Sequence, residues 1–171
     1  LYSIDKGKIR PSKSLQDALN RMLQGNQEFV MIDEQKVVYE TALQLANEAV
    51  RTNTKHILVV EGGPGTGKSV LAVNLLVEAT KRSLVAQYVT KNAAPRNVYA
   101  TKLKQDFRKG HIDNLFKGSG SYINAPSNEF DVLIVDEAPR LNAKSGLFGH
   151  LGENQVKEII HASKLSIFFI D

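Results

Sequence analysis

"EGGPGTGKSV", residues 61–70, sets four glycines and a proline ahead of a single Lys68-Ser69 pair, between two apolar runs. From Gly62 to Ser69 it follows the pattern G-x-x-x-x-G-K-[ST]. Upstream, "HILVV" at 56–60 reads as a strand, and downstream "KSVLAVNLLVEATKR" at 68–82 reads as a helix. Glycines at this spacing free the backbone for positive φ, so that its N–H groups face inward as an anion nest. The start of the following helix adds the positive end of its dipole. A loop that holds phosphate through its backbone needs few side chains. Gly63, Pro64, Gly65, Thr66 and Gly67 are the expected cradle, Lys68 is expected to reach the β- and γ-phosphates, and the Ser69 hydroxyl to hold Mg²⁺.

Outward from the loop, strand and helix signals alternate. "LVAQYV" at 84–89, "FDVLIVD" at 130–136 and "SIFFI" at 166–170 are short runs rich in β-branched and aromatic residues. Helical spacing is present at 12–24, at 33–51, in a segment opening near Pro95, and at 153–164. In the second of these, Asp33 precedes a face expected to comprise Val37, Val38, Thr41, Leu45 and Ala49. The strands are apolar throughout, and "HILVV" in particular is expected to be covered on both faces. The expected order is two leading helices and then β-α-β-α-β-α-β, an α/β fold with a parallel sheet between layers of helices. Residues 110–129, polar and glycine-rich, read as a functional loop or a mobile one.

Bulk composition narrows the classes. A chain of 171 residues, 42% hydrophobic and 23% charged, suits one soluble globular domain. No apolar run approaches the roughly 20 residues of a membrane span, and no signal peptide opens the chain, so no membrane partner is expected. The absence of cysteine excludes disulfides and thiolate chemistry and fits a cytoplasmic location. His56, His111, His150 and His161 lack a metal-ligand spacing. The net charge of +4 is compatible with nucleic acid without requiring it.

The second chemical signal is "VLIVDEAPR", a buried run ending in Asp136 and Glu137. In a parallel sheet the strand C-termini share one edge, which places this pair beside the phosphate loop. Asp136 is expected to hold Mg²⁺ opposite Ser69, and Glu137 to orient or deprotonate a water attacking the γ-phosphate. A small-molecule kinase seldom needs that second carboxylate. An Asn-Lys-x-Asp guanine-reading signature is not matched by "TKNAAPR", which favours ATP.

The stretches "DEQKVVYE", "GGPGTGKSVLAVNLL", "YVTKNAAPRNVY", "VLIVDEAPRLN" and "FFID" together resemble the superfamily 1 helicase-like ATPases, in particular a bacterial Schlafen-related group. The likeness runs through almost the whole chain. It implies a RecA-like P-loop fold, with 1–52 as a helical lead-in and 53–171 as the ATPase core of a single structural domain. It further implies that Gln35 reads adenine, where the residues alone suggest an exposed position on an amphipathic helix. Thr90, Lys91, Asn92 and Arg96 correspond to a segment that contacts single-stranded DNA or RNA, or else form a polar strand-to-helix loop. Such motors need a second RecA-like lobe with an arginine finger, and the chain, opening at Leu1 and stopping at Asp171, is expected to be cut from something longer. Pro139 stands where related sequences often carry histidine or glutamine. Arg140, the nearest basic residue to the acidic pair, has a surface role as its equal reading. Three functions stay open: a nucleic-acid-dependent ATPase, an ATPase switch acting on proteins, and a P-loop kinase.

Overall fold

The computed structural model describes residues 2–5, 8–11, 33–62, 68–90, 115–118, 120–138 and 152–170. Among them, strands β3 (His56–Glu61), β4 (Ala86–Thr90), β5 (Phe116–Lys117), β6 (Phe130–Ala138) and β7 (Ser163–Ile170) form one sheet in the order β3-β7-β6-β4-β5. Every pairing in it is parallel. Each strand must therefore be reached by a crossover, and α2 (Lys68–Lys81) and α3 (Gly152–Ala162) supply two of them.

Two apolar layers fill the two faces of the sheet. On one, α1 (Asp33–Thr52) and α2 pack against Ala86, Val132, Ile134, Leu165, Ile167 and Phe169. Leu71, Ala72, Val73, Leu75, Leu76 and Val77 of α2 are all buried, which is the signature of a helix enclosed on several sides. On the other face, Val156, Ile159 and Ala162 of α3 meet Val89, Leu133, Val135, Phe168 and Ile170. The fold is a three-layer α/β P-loop arrangement with helices on both faces of a parallel sheet.

Both α1 and α2 stop for an identifiable reason. Asn53 and Ser83 follow them with φ of 52° and 61°, the left-handed conformation that ends a helix. The next residue then donates to the carbonyl five positions earlier, Thr54 N to Ala49 O at 3.2 Å and Leu84 N to Ala79 O at 3.0 Å. Each break delivers the chain straight into a strand.

Four expectations are corrected. The N-terminal region is not wholly helical: Tyr2–Asp5 and Lys8–Pro11 pair antiparallel as β1 and β2. The α1 face is only in part the one expected: Ala49 is buried and Val38 and Leu45 pack against the core, but Val37 and Thr41 are exposed, and Ala42, Leu43 and Ala46 are buried as well. Alanines at 42, 46 and 49 are what allow α1 to lie close against its neighbours. Third, among the described residues β3 is covered on one side only. It is an edge strand among the described residues, and Ile57 and Val59 remain 51% and 38% exposed. A continuous apolar run does not by itself distinguish an edge strand from a central one.

Last, 110–129 is not all loop. Phe116–Lys117 add a strand to the sheet, and the turns of 120–129 are tied down. Tyr122 is buried in the α3-side core and meets Phe130 edge-on at 5.7 Å. Its hydroxyl donates to Gln87 Oε1 at 2.8 Å, and burial, with the Glu129 carboxylate second, pushes its pKa far up. The helices expected at 12–24 and beyond Pro95 lie outside the described residues.

Candidate nucleotide site at the strand ends

The register of the sheet decides where the motifs meet. Glu61 pairs with Ile170, Ala138 pairs with Ile170, and Thr90 pairs with Asp136, so the C-terminal ends of β3, β7, β6 and β4 form one edge. Gly62 leaves β3 at that edge, its N–H donating to Ile170 O at 3.1 Å. Lys68 opens α2 beside it. The Lys68 ammonium folds back and donates to Gly62 O, the carbonyl at the entrance of the glycine stretch.

Asp136 stands on the same edge, 1% exposed, on the sheet face that α2 covers. A carboxylate buried so deeply must be compensated. Part of that compensation comes from Tyr88 on the adjacent β4, whose hydroxyl donates to Asp136 Oδ2. The backbone is irregular at this point. Between Val135 and Ala138 the pairing with β7 shifts, with Val135 opposite Phe168 and Ala138 opposite Ile170, so β6 carries one extra residue across Asp136 and Glu137. Bulges of this kind re-aim side chains and are common next to active sites.

The sequence-derived residues divide as follows. Lys68 and Asp136 come to one edge, with Ser69 at the second position of α2 and Glu137 within the bulged stretch of β6. Gln35 lies in the first turn of α1, partly buried. Thr90 is fully buried opposite Asp136, so in this conformation it does not face a strand in solvent. Gly63, Pro64, Gly65, Thr66, Gly67, Lys91, Asn92 and Arg96 lie outside the described residues. Tyr88 was not singled out from sequence, although a lone tyrosine in the apolar run "LVAQYV" was a visible cue. No cluster of three or more histidine, aspartate or glutamate side chains suited to a metal occurs among the described residues. No described helix is long and apolar enough to cross a membrane.

A family model, Schlafen group 3, DNA/RNA helicase domain, matches residues 55–171. The chain belongs to this family. The match begins just before β3 and takes in the glycine stretch, β4, the acidic pair and β7. Protein RecA from Aquifex pyrophilus is 30% identical over 140 residues, covering 67% of this chain and 38% of that protein. Protein RecA from Aquifex aeolicus is 29% identical over 150 residues, covering 76% of this chain and 43% of that protein. The chain thus spans about two-fifths of the length of these curated relatives. Family membership and the distant RecA likeness support a nucleotide-binding, ATPase-like function for the helicase domain.

Proposed function

We propose that the strand-end edge binds Mg²⁺-ATP and that, within the longer protein, it hydrolyses ATP as the first motor lobe of a DNA/RNA helicase-like ATPase. The observation that carries this reading is the parallel register that brings Gly62, Lys68 and Asp136 to one edge. The donor set suits a hard cation, since a buried carboxylate at a strand end and a helix-opening serine are oxygen ligands. Asp136 and Ser69 are the residues to hold Mg²⁺, which when bound neutralises charge on the β- and γ-phosphates.

The remaining steps belong to side chains of the chain itself. Lys68 exchanges its contact with Gly62 O for phosphate oxygens and stabilises charge as the γ-phosphoryl departs. The backbone from Gly63 to Gly67 cradles the phosphates. Glu137 orients the attacking water and accepts its proton. Gln35 reads the adenine. Lys91, Asn92 and Arg96 offer donors to a nucleic-acid backbone, and Thr90, being buried, is better suited to supporting the Asp136 end of β4 than to touching a strand.

The experiment is phosphate release from ATP by the full-length protein, with and without single-stranded DNA or RNA. Stimulated turnover that is lost in Glu137→Gln supports the reading. Turnover indifferent to any nucleic acid removes the motor assignment, and label transferred from the γ-position to an acceptor other than water replaces hydrolysis by phosphoryl transfer.

A further inference from the structure

Tyr88 occupies the middle of β4, on the sheet face packed by α1 and α2, and is fully buried. Its sheet neighbours in that cluster include Ala86, Val132, Ile134 and Ile167, none of which carries a polar group. A phenylalanine would fill the same space. A hydroxyl among such residues costs free energy unless it finds a partner.

The partner is the acidic end of β6. In the register, Tyr88 stands opposite Ile134 and Thr90 opposite Asp136. The phenol therefore reaches diagonally along the face by a two-residue step, about 6.6 Å at ~3.3 Å per residue, and its O–H donates to Asp136 Oδ2. From the other side the ring of Phe116 leans on Tyr88, centroids 5.7 Å apart and planes at 58°. The ring is held in the core by packing, so its hydroxyl is a fixed donor. The bulge across Asp136 and Glu137 interrupts the ladder just where the carboxylate must be aimed. A side-chain partner on β4 supplies orientation that the irregular backbone there does not.

We propose that Tyr88 is a positioning residue for the cation of the nucleotide: it pins one oxygen of the Asp136 carboxylate and thereby sets how tightly Mg²⁺ is held together with ATP. This rests on the Mg²⁺-ATP reading of the edge. Partners that orient a metal-binding carboxylate are worth 10- to 100-fold in metal affinity. Tyr88→Phe deletes the donor and keeps the ring, so its cost falls on the cation rather than on the core.

The test is calorimetric titration of ATP into the protein at stepped Mg²⁺ concentrations, with an EDTA arm for zero. Tyr88→Phe is expected to raise the half-saturating Mg²⁺ about tenfold. Affinity for ATP in EDTA is expected to stay within about twofold, and Asp136→Asn to remove the Mg²⁺-dependent gain. The double variant Tyr88→Phe with Asp136→Asn is then expected to match Asp136→Asn alone. An unchanged Mg²⁺ midpoint in Tyr88→Phe overturns the proposal, as does an equal loss of affinity in EDTA, which marks a merely structural role. Should Asp136→Asn keep the full Mg²⁺ gain, the cation site itself is misassigned and the role of Tyr88 goes with it. A Tyr88→Phe effect that persists in full on the Asp136→Asn background contradicts the positioning role while leaving the Mg²⁺-ATP reading standing.

Discussion

Asp131 and Asp136 stand near opposite ends of β6, both buried, and the sheet treats them differently. At the N-terminal end, Asp131 accepts the Val85 N–H on Oδ2 at 2.8 Å and pairs through Oδ1 with Lys164 Nζ at 3.3 Å. Close by, Lys55 donates to Asn128 Oδ1, Ile160 O and Ser163 O at 2.7, 2.6 and 2.6 Å, gathering the end of α3 and the start of β7. Charge there is consumed in tying β4, β6, β7 and α3 together. At the C-terminal end, Asp136 sits where the pairing of β6 with β7 bulges and accepts from an uncharged phenol on β4, and Lys68 bends onto a loop carbonyl. The two ends teach that burial of an acid is not in itself a functional signal. What separates them is whether the partners are cross-links between elements or groups gathered where a strand, a loop and a helix start converge.

That contrast can be broken by substitution at either end. The largest effect is expected from Lys68→Ala, which removes the cation nearest the glycine stretch. ATP turnover by the full-length protein should fall by at least about 10²-fold, in the range for loss of one transition-state donor, with Tm little changed. Retained turnover in a folded Lys68→Ala protein would place the chemistry elsewhere. Next comes Asp131→Ala, which strands Lys164 in a partly buried site. Breaking a buried pair costs about 3–5 kcal/mol, so denaturant unfolding should show a large loss of stability while the Mg²⁺ dependence of ATP binding is kept.

Smaller effects sharpen the same picture. Lys55→Met should cost about 1–2 kcal/mol in chemical denaturation, since it strips donors from the carbonyls that end α3. Partial burial holds the Lys55 pKa below its ordinary value. Farther from both ends, burial, with the Glu78 carboxylate second, raises Tyr39 from 10.0 to about 12. The unfolded chain loses that proton first, so Tyr39 contributes stability below pH 10.0 that is lost as pH rises toward about 12. Tyr39→Phe should flatten the fall in Tm across that window, and an unchanged alkaline slope would show that Tyr39 is not its source.

Much of this arrangement was legible in the sequence because local signals agreed. Strand, glycine stretch and helix follow one another at 56–82, and the continuous runs at 130–136 and 166–170 read as strands that the structure extends to 130–138 and 163–170. What escaped depends on pairing across the chain. The link from Tyr88 to Asp136 requires the register of β4 on β6, and the network of Asp131 with Val85 and Lys164 requires three strands. Asp131, a charge inside "FDVLIVD", was the available hint. The pair β1 and β2 escaped because four-residue strands carry too few apolar positions to show a period. Ala42 and Ala46 of α1 escaped because small side chains weigh little in a hydrophobic pattern.

The comparison between the two ends of β6 is tested most directly by measuring ATP binding with and without Mg²⁺ alongside thermal unfolding, in Asp131→Asn and Asp136→Asn. Asp131→Asn is expected to lower Tm and keep the Mg²⁺-dependent gain in affinity, while Asp136→Asn is expected to lose that gain and keep Tm. A Mg²⁺-dependent gain that survives Asp136→Asn, or that disappears equally in both variants, would contradict it.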